Sequence, residues 1–383
     1  MTGLGPVCPF GLGIEALATA LWDKPNRLRE LTIGKPEGPQ AAVQRVPPFD
    51  LNSHVKARRP YVDPHSAFAL AAGSLALAPS GRPPQELDPS ASGLATGTVF
   101  GNAASLEIFQ QSVRGKGMRL ASPVLFQHCY PNTTNSLMSI EFGLRGFNQN
   151  FCGDPLCGGR AIQAGHEAVR AGMADLMLAG GCDALSERLS IALRRECGRD
   201  GPILSEGACF LALESEQSVR RRGGKGVCEL VCVVSAGTGL AARSGRAEDQ
   251  MRIGAAIRSA ITRALSQTNL WEGDLGALFL AMPWSRNDPL CQAAKPTLDS
   301  FSQLPTFTAD EVGGYAFAAT FPLQCAAAAL LLNQRMVPSP MKLEKVERGV
   351  ELWVEQPPAS MLGTAALVLG WSAHSVVAAI LKA

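Results

Sequence analysis

Along this chain, short and wholly apolar runs that end at glycine alternate with longer stretches whose apolar residues recur every three or four positions. An apolar run bounded by turn residues reads as a buried strand. A 3.6-residue period reads as a helix packed on one face. "GLATGTVFG" predicts a strand running into a glycine turn, and "ASLEIFQQSV" the helix after it. "PNTTNSLMSIEFGL" predicts a capped helix, "ADLMLAGGCDAL" a buried strand and "GACFLALESE" another. The segment Asn150 to Gly181 begins as a strand, breaks at Gly153-Asp154-Pro155 and continues as a long Ala-rich helix. A strand–turn–helix junction of this kind is where many α/β enzymes place a nucleophile.

After the basic, glycine-rich loop "RRRGGKG" (Arg220 to Gly226) the order begins again. "VCELVCVVSAGTGL" predicts a strand. The next stretch predicts an amphipathic helix with Ile253, Ile257, Ile261 and Leu265 on one stripe, and "LGALFLAMP" a buried strand. A second glycine turn then leads into an Ala-rich helix, and "TAALVLGWSAHSVVAAILKA" closes with two strands around a turn. Alternating strands and helices indicate an α/β chain. The recurrence suggests an internal duplication of two halves, 1–226 and 227–383.

Composition narrows the function classes. The 383 residues are 46% hydrophobic, ample for a large core. A net charge of +2 gives no nucleic-acid signature. Eleven cysteines, an odd number with no C-x-x-C, read as reduced and mostly buried thiols, which places the protein in the cytoplasm. The Asn132 sequon is then accidental. "MTGLGPVCPFGLG" lacks the features of a signal peptide. The most apolar stretch carries Thr320, Pro322 and Gln324 and reads as a buried helix rather than a membrane span. Five scattered histidines make no metal motif, and no phosphate loop, serine elbow or dinucleotide fingerprint is present. No metal and no cofactor is expected.

These motifs, in this order, resemble the β-ketoacyl-acyl-carrier-protein synthases, condensing enzymes of the thiolase fold. The likeness runs nearly end to end: Thr2 to Val7 with Pro9-Phe10-Gly11, "ATGTVFGN", "SPVLF", "GLRGFNQNF", "AIQAGHEAVRAGMADLMLAGGCDAL" and the "RDGPILSEGACFLALE" segment from Arg199 to Glu214. The resemblance implies a pseudo-twofold α/β fold of five layers, α-β-α-β-α, with the nucleophile turn at 152–158. It also marks departures. The family's cysteine, in a T-A-C-x-x-G turn, falls at Pro155. Its first catalytic histidine falls at Leu280, although Asn287-Asp288 survive. Its second, in K-S-x-x-G-H-x-x-G-A-A-G, falls at Gly314, and the lysine at Ala309. The terminal F-G-F-G-G-T-N loop has become "LGWSAHS", with Trp371 in place of a phenylalanine.

Condensation requires a thiolate to accept the acyl chain and two histidines to stabilise the developing enolate. Proline, leucine and glycine supply neither. The site therefore reads as vacated. Asp154 is expected to cap the helix and Pro155 to occupy its first position, worth about 1 kcal/mol. The rival nucleophile is Cys157, in the first turn, where the dipole lowers a thiol's pKa. With His374 from the terminal loop it would support acyl transfer or an atypical condensation. His166 lies about 180° round the helix and roughly 13 Å along it, too far to serve. Cys152 reads as core, and Trp371 as filling the space left by the histidines.

On the helix from Ser105 to Arg114, Leu106, Phe109 and Val113 form a stripe that reads as core. The resemblance places this helix near the acyl channel and dimer interface, where Phe109 and Ser112 would set channel length. Arg220, Arg221, Arg222 and Lys225 form a solvated loop or a docking site for acidic acyl carrier protein. The reading that follows is a chain-length factor: a non-catalytic subunit that pairs with a catalytic ketosynthase in a polyketide, aryl-polyene or fatty-acid-type system. The dimer would form across the strand before the nucleophile turn, which buries an open sheet edge. A third reading is a homodimeric acyl-carrier or lipid-binding protein without chemistry.

Overall fold

The computed structural model describes residues 1–22, 31–33, 41–78, 88–197, 202–240, 247–282, 288–309, 313–337, 341–346, 350–355, 359–360 and 363–383. Two mixed sheets carry the fold. The first runs Gly11–Leu12, Gly3–Cys8, Gly207–Glu214, Leu176–Asp183, Ser92–Thr98, Asn148–Cys152. The second runs Glu229–Gly237, Ser375–Lys382, Ala365–Trp371, Leu275–Leu280, Thr306–Phe307, and is extended by Met341–Val346 and Val350–Glu355.

Five strands of each sheet share one order. Numbered along each half, they lie 1-5-4-2-3. Directions repeat too: strand 5 is antiparallel to 1 and 4, and strand 2 is parallel to 4 and 3. The parallel strands Leu176–Asp183, Leu275–Leu280 and Ala365–Trp371 are buried along their whole length because helices cover both faces, whereas the parallel edge strand Asn148–Cys152 is polar and partly exposed.

Helices form the remaining three layers. Pro64–Leu77 packs outside the first sheet and Ala247–Thr268 outside the second. Between the sheets lie Cys157–Arg170 and Thr320–Gln334, each touching both. The second is buried on every side from Thr320 to Leu332, which explains its unbroken apolar sequence. No helix among the described residues is long and apolar enough to cross a membrane. The architecture is the five-layered thiolase-like arrangement the sequence implied.

Small residues let the central layer close. A Cβ on Gly158 would lie 2.0 Å from the Ala318 carbonyl oxygen, and one on Gly181 2.2 Å from it. That oxygen therefore wedges between the Cys157 helix and its neighbouring strand, at the junction of the halves. Large side chains such as Phe321 and Trp371, both fully buried, complete the packing. Each contributes about 1.5–3 kcal/mol through burial.

Candidate functional site

The edge strand Asn148–Cys152 ends at Gly153, whose φ of 95° turns the chain. The helix then starts at Cys157, not at Pro155. The later start has a local cause. Asp154 accepts the Leu156 N–H on Oδ1 at 2.7 Å, and its carbonyl accepts the Cys157 N–H at 2.9 Å. This closes a separate turn that holds Pro155 ahead of the helix. Leu156, the N-cap, offers no side-chain bond.

Asp154 does more than shape the turn. Ser372 donates its hydroxyl to Oδ2 at 2.8 Å, and Ser375 donates to Oδ1 at 3.3 Å. Ser372 lies in the terminal loop, Ser375 opens the strand after it, and the aspartate is buried. One carboxylate thus ties the nucleophile turn of the first half to the last loop of the second.

Cys157 is buried, and its sulfur accepts the Asp154 N–H at 3.4 Å. Burial pushes the thiol up to about 11, although that hydrogen bond pulls the other way. The lowered pKa expected from the helix dipole is not what the site provides, because desolvation outweighs it. His374 is exposed and its Nδ1 meets the Leu240 carbonyl at 3.2 Å. Thiol and imidazole are therefore each engaged elsewhere. Cys152, expected in the core, is exposed at the sheet edge and accepts from the Asn150 amide at 3.0 Å.

The two histidine positions lie in the second half. Leu280 is fully buried at a strand end, and Gln324 donates to its carbonyl at 3.1 Å. Asp288 caps the helix Pro289–Leu298 by accepting the Leu290 N–H; Asn287 lies outside the described residues. Ala309 is fully buried. Gly314 has a φ of 95°, and a Cβ there would lie 2.9 Å from the Ile203 carbonyl oxygen. This backbone excludes a histidine at that position as it stands. Trp371 is fully buried among Leu280, Leu290, Tyr315 and Phe317, and its indole N–H donates to the Leu290 carbonyl at 3.0 Å.

Three residues escaped the sequence reading. Gln324, fully buried, also donates to Thr308 O at 2.6 Å and braces the strand ends under the site. Tyr315, next to Gly314, is buried there, and burial raises its pKa. Asp183 is fully buried. It accepts the Thr98 hydroxyl at 2.8 Å, the Phe100 N–H at 3.0 Å and, across the halves, the Ala318 N–H at 3.0 Å. Burial raises its pKa, while nearby His65 and these donors oppose the rise. The acid after "AGGC" is the signal that marked Asp183: a charge at the end of a wholly apolar strand must find donors.

Comparison with known proteins fixes the family. The model for the β-ketoacyl synthase N-terminal domain matches residues 2–218. The chain belongs to the β-ketoacyl synthase family. It is 25% identical over 387 aligned positions to 3-oxoacyl-[acyl-carrier-protein] synthase 2 of Rhizobium meliloti, covering 92% of this chain and 90% of that one. It is also 25% identical to a putative polyketide β-ketoacyl synthase 1 of Streptomyces cyaneus, over 60% of this chain and 62% of that one. Among solved structures, the ishigamide ketosynthase/chain length factor superposes with a TM-score of 0.85 at 19% identity, covering 100% of this chain and 98% of that one. A type II polyketide acyl carrier protein in complex with its hexaketide-bound ketosynthase gives 0.82 at 20%, with the same coverage.

On this ketosynthase-family chain, the helix Ala103–Lys116 is a surface element. Only Ser105 is buried; Leu106 is exposed and Phe109 and Ser112 are half-buried. The stripe read as core faces outward instead. Phe109 contacts Phe126 at 5.3 Å between ring centroids, and Phe126 contacts Tyr130 at 5.2 Å. Met118, Leu120 and Val124, on segments packed against this helix, are also exposed, and on a separate helix Ile140 is 74% exposed. The helix bearing Ile140 borders the edge strand, where Asn148 donates to Ser139 at 2.8 Å.

The basic loop divides. Arg222 is bound to the fully buried carboxylate of Glu214 by two bonds of 3.0 and 2.8 Å, so it is structural and not available for docking. Arg220 pairs with Glu216, and Arg221 lies 3.8 Å from Asp175, both in the open; Lys225 is exposed.

Proposed function

We propose that this chain is a non-catalytic ketosynthase-family subunit, a chain-length factor, that pairs with an active β-ketoacyl synthase. One observation carries the reading. Pro155, Leu280 and Gly314 stand where condensation needs a thiol and two imidazoles, and the backbone at Gly314 has no room for a side chain. The solved ketosynthase/chain length factor superposes over the whole chain, which supports it. So does the apolar surface beside an unpaired edge strand, because a polar monomer surface has no use for either.

The partner is a complete ketosynthase, and Phe109 and Ser112 contribute to the cavity that limits the growing chain. Acyl carrier protein brings the substrates, with Arg220, Arg221 and Lys225 as the basic groups it meets. Pro155 stands where chain-length factors of aromatic polyketide systems tend to carry glutamine, so a polyene or aryl-polyene system in the cytosol fits better. The raised pKa of Cys157 and the separate engagement of His374 disfavour the acyltransferase reading.

The test is co-expression with candidate ketosynthases. A soluble 1:1 complex is expected, and Phe109→Ala within it should lengthen the product. Unchanged product length removes Phe109 from the cavity. Turnover of malonyl and acyl thioesters by this chain alone overturns the whole reading. A stable acyl adduct that disappears in Cys157→Ala would install the acyltransferase in its place.

A further inference from the structure

Phe317 has a φ of 51°, a left-handed backbone that bulky residues rarely adopt. Glycine occupies such conformations freely, and the histidine motif has glycine three residues after the position taken by Gly314, at residue 317. At this position the chain adopts a backbone that suits glycine and places a phenyl ring on it. Neighbouring bonds fix the strained residue from both sides. Ala316 donates its N–H to the Thr320 hydroxyl at 2.9 Å, and Ala318 donates to Asp183 at 3.0 Å. Strain that surrounding contacts over-determine marks a residue held for a purpose.

The ring meets Phe100 edge-on at 4.9 Å and Tyr315 at 4.8 Å between centroids. Asp183 also holds the Phe100 backbone at 3.0 Å, so one carboxylate aligns the segments bearing two of these rings. Trp371 and Leu280 belong to the same buried cluster. One residue on, the Ala318 carbonyl presses against Gly158, the residue after Cys157. The aromatic cluster therefore stands at the head of the nucleophile-turn helix, among the three positions that lack reactive groups.

The geometry points to Phe317 as a plug that closes this chain's own acyl-thioester pocket, leaving any acyl chain to be held by a partner or at the interface. This deepens the non-catalytic reading and rests on it for its purpose. The test is accessibility. The purified protein, with its partner subunit if solubility requires one, is treated with iodoacetamide. Alkylation of Cys157 is followed by peptide mass mapping, with exposed Cys197 as the internal standard. In Phe317→Gly and Phe317→Ala, Cys157 should react about tenfold faster or more than in the unaltered protein. The glycine variant should melt above the alanine variant, the reverse of the order at an unstrained buried phenylalanine. Phe100→Ala, which leaves the strained residue untouched, opens the pocket by a second route. Rates within about twofold of the unaltered protein in the folded variants overturn the plug. So does an equal rise in Phe279→Ala, where a buried ring is lost elsewhere. Labelling does not depend on complex formation. A chain whose Cys157 opens but that pairs with no ketosynthase keeps the plug and loses the subunit reading, and the opposite pair of results does the reverse.

Discussion

The pocket around Pro155 and the surface around Phe126 and Ile140 differ in opposite senses from what solvent would favour. At the turn, the positions proposed to have lost their reactive groups, and their neighbours, are apolar or empty: Leu280 fully buried, Gly314 without a side chain, Trp371 and Phe317 packed in. On the surface, positions that should be polar are apolar, with Ile140, Met118 and Leu120 each more than two-thirds exposed. On the proposed reading these are a site without its chemistry and a face kept for contact. If that reading holds, the contribution of this chain lies in contact.

The sharpest way to break that comparison is at the face. Ile140→Asp with Phe126→Asp should raise the dissociation constant for the partner ketosynthase by about 30-fold or more, because desolvated apolar anchors dominate such interfaces. The stability of the isolated chain should change less, by about 1 kcal/mol, since Ile140 is mostly exposed and Phe126 gives up only its partly exposed contacts with Phe109 and Tyr130. Calorimetric titration and urea unfolding measure the two. An undiminished complex would mean that the partner binds elsewhere or that the face serves something else.

Inside the pocket the matching experiment is Asp154→Ala. It leaves the Leu156 N–H and the hydroxyls of Ser372 and Ser375 without their acceptor in a buried setting. Unpaired buried donors cost about 1–3 kcal/mol each, less where they find other partners. A loss of about 2–4 kcal/mol in urea unfolding is expected. Ser372→Ala, which removes one donor only, should lose about 1 kcal/mol. Equal and small effects would show that the two halves are not joined through this carboxylate.

The alternation of strands and helices was readable because the central strands are buried on both faces, Cys157–Arg170 carries one apolar face and Thr320–Leu332 is apolar all round, so periodicity and run length carry the signal. The proposed loss of the three reactive positions rests on residue identity within the family's motifs alone. What escaped the sequence concerns partners far along the chain. Asp154 reads as a helix cap, and nothing near it announces Ser372, 218 residues away. Arg222 reads like its neighbours until Glu214 takes it out of solvent. The stripe Leu106, Phe109, Val113 reports that a face is covered but not by what, and within this chain Leu106 is exposed and Phe109 and Val113 are only half-buried. Phe317 is invisible in composition, because only its φ distinguishes it from any buried phenylalanine.

The smallest expected effect concerns Cys157 and tests whether the pocket is as dry as its burial implies. A helix N-terminus favours a thiolate, whereas an apolar, desolvated setting opposes it. Here desolvation leads, and the thiol is pushed up to about 11. The native state therefore favours the protonated form. The stability this contributes is complete below the pKa of an unfolded thiol, about 8.5, and is lost as pH rises from there through about 11. Alkylation of Cys157 should accordingly climb close to tenfold per pH unit between pH 8 and pH 10, with no plateau, because the reactive thiolate is still the minor form. Exposed Cys197 in the same sample controls for the amount and activity of the reagent. A plateau for Cys157 below pH 8 would mean that the helix dipole wins after all. The turn would then hold a working nucleophile, and the contrast between an inert pocket and an adhesive face would fail at its first term.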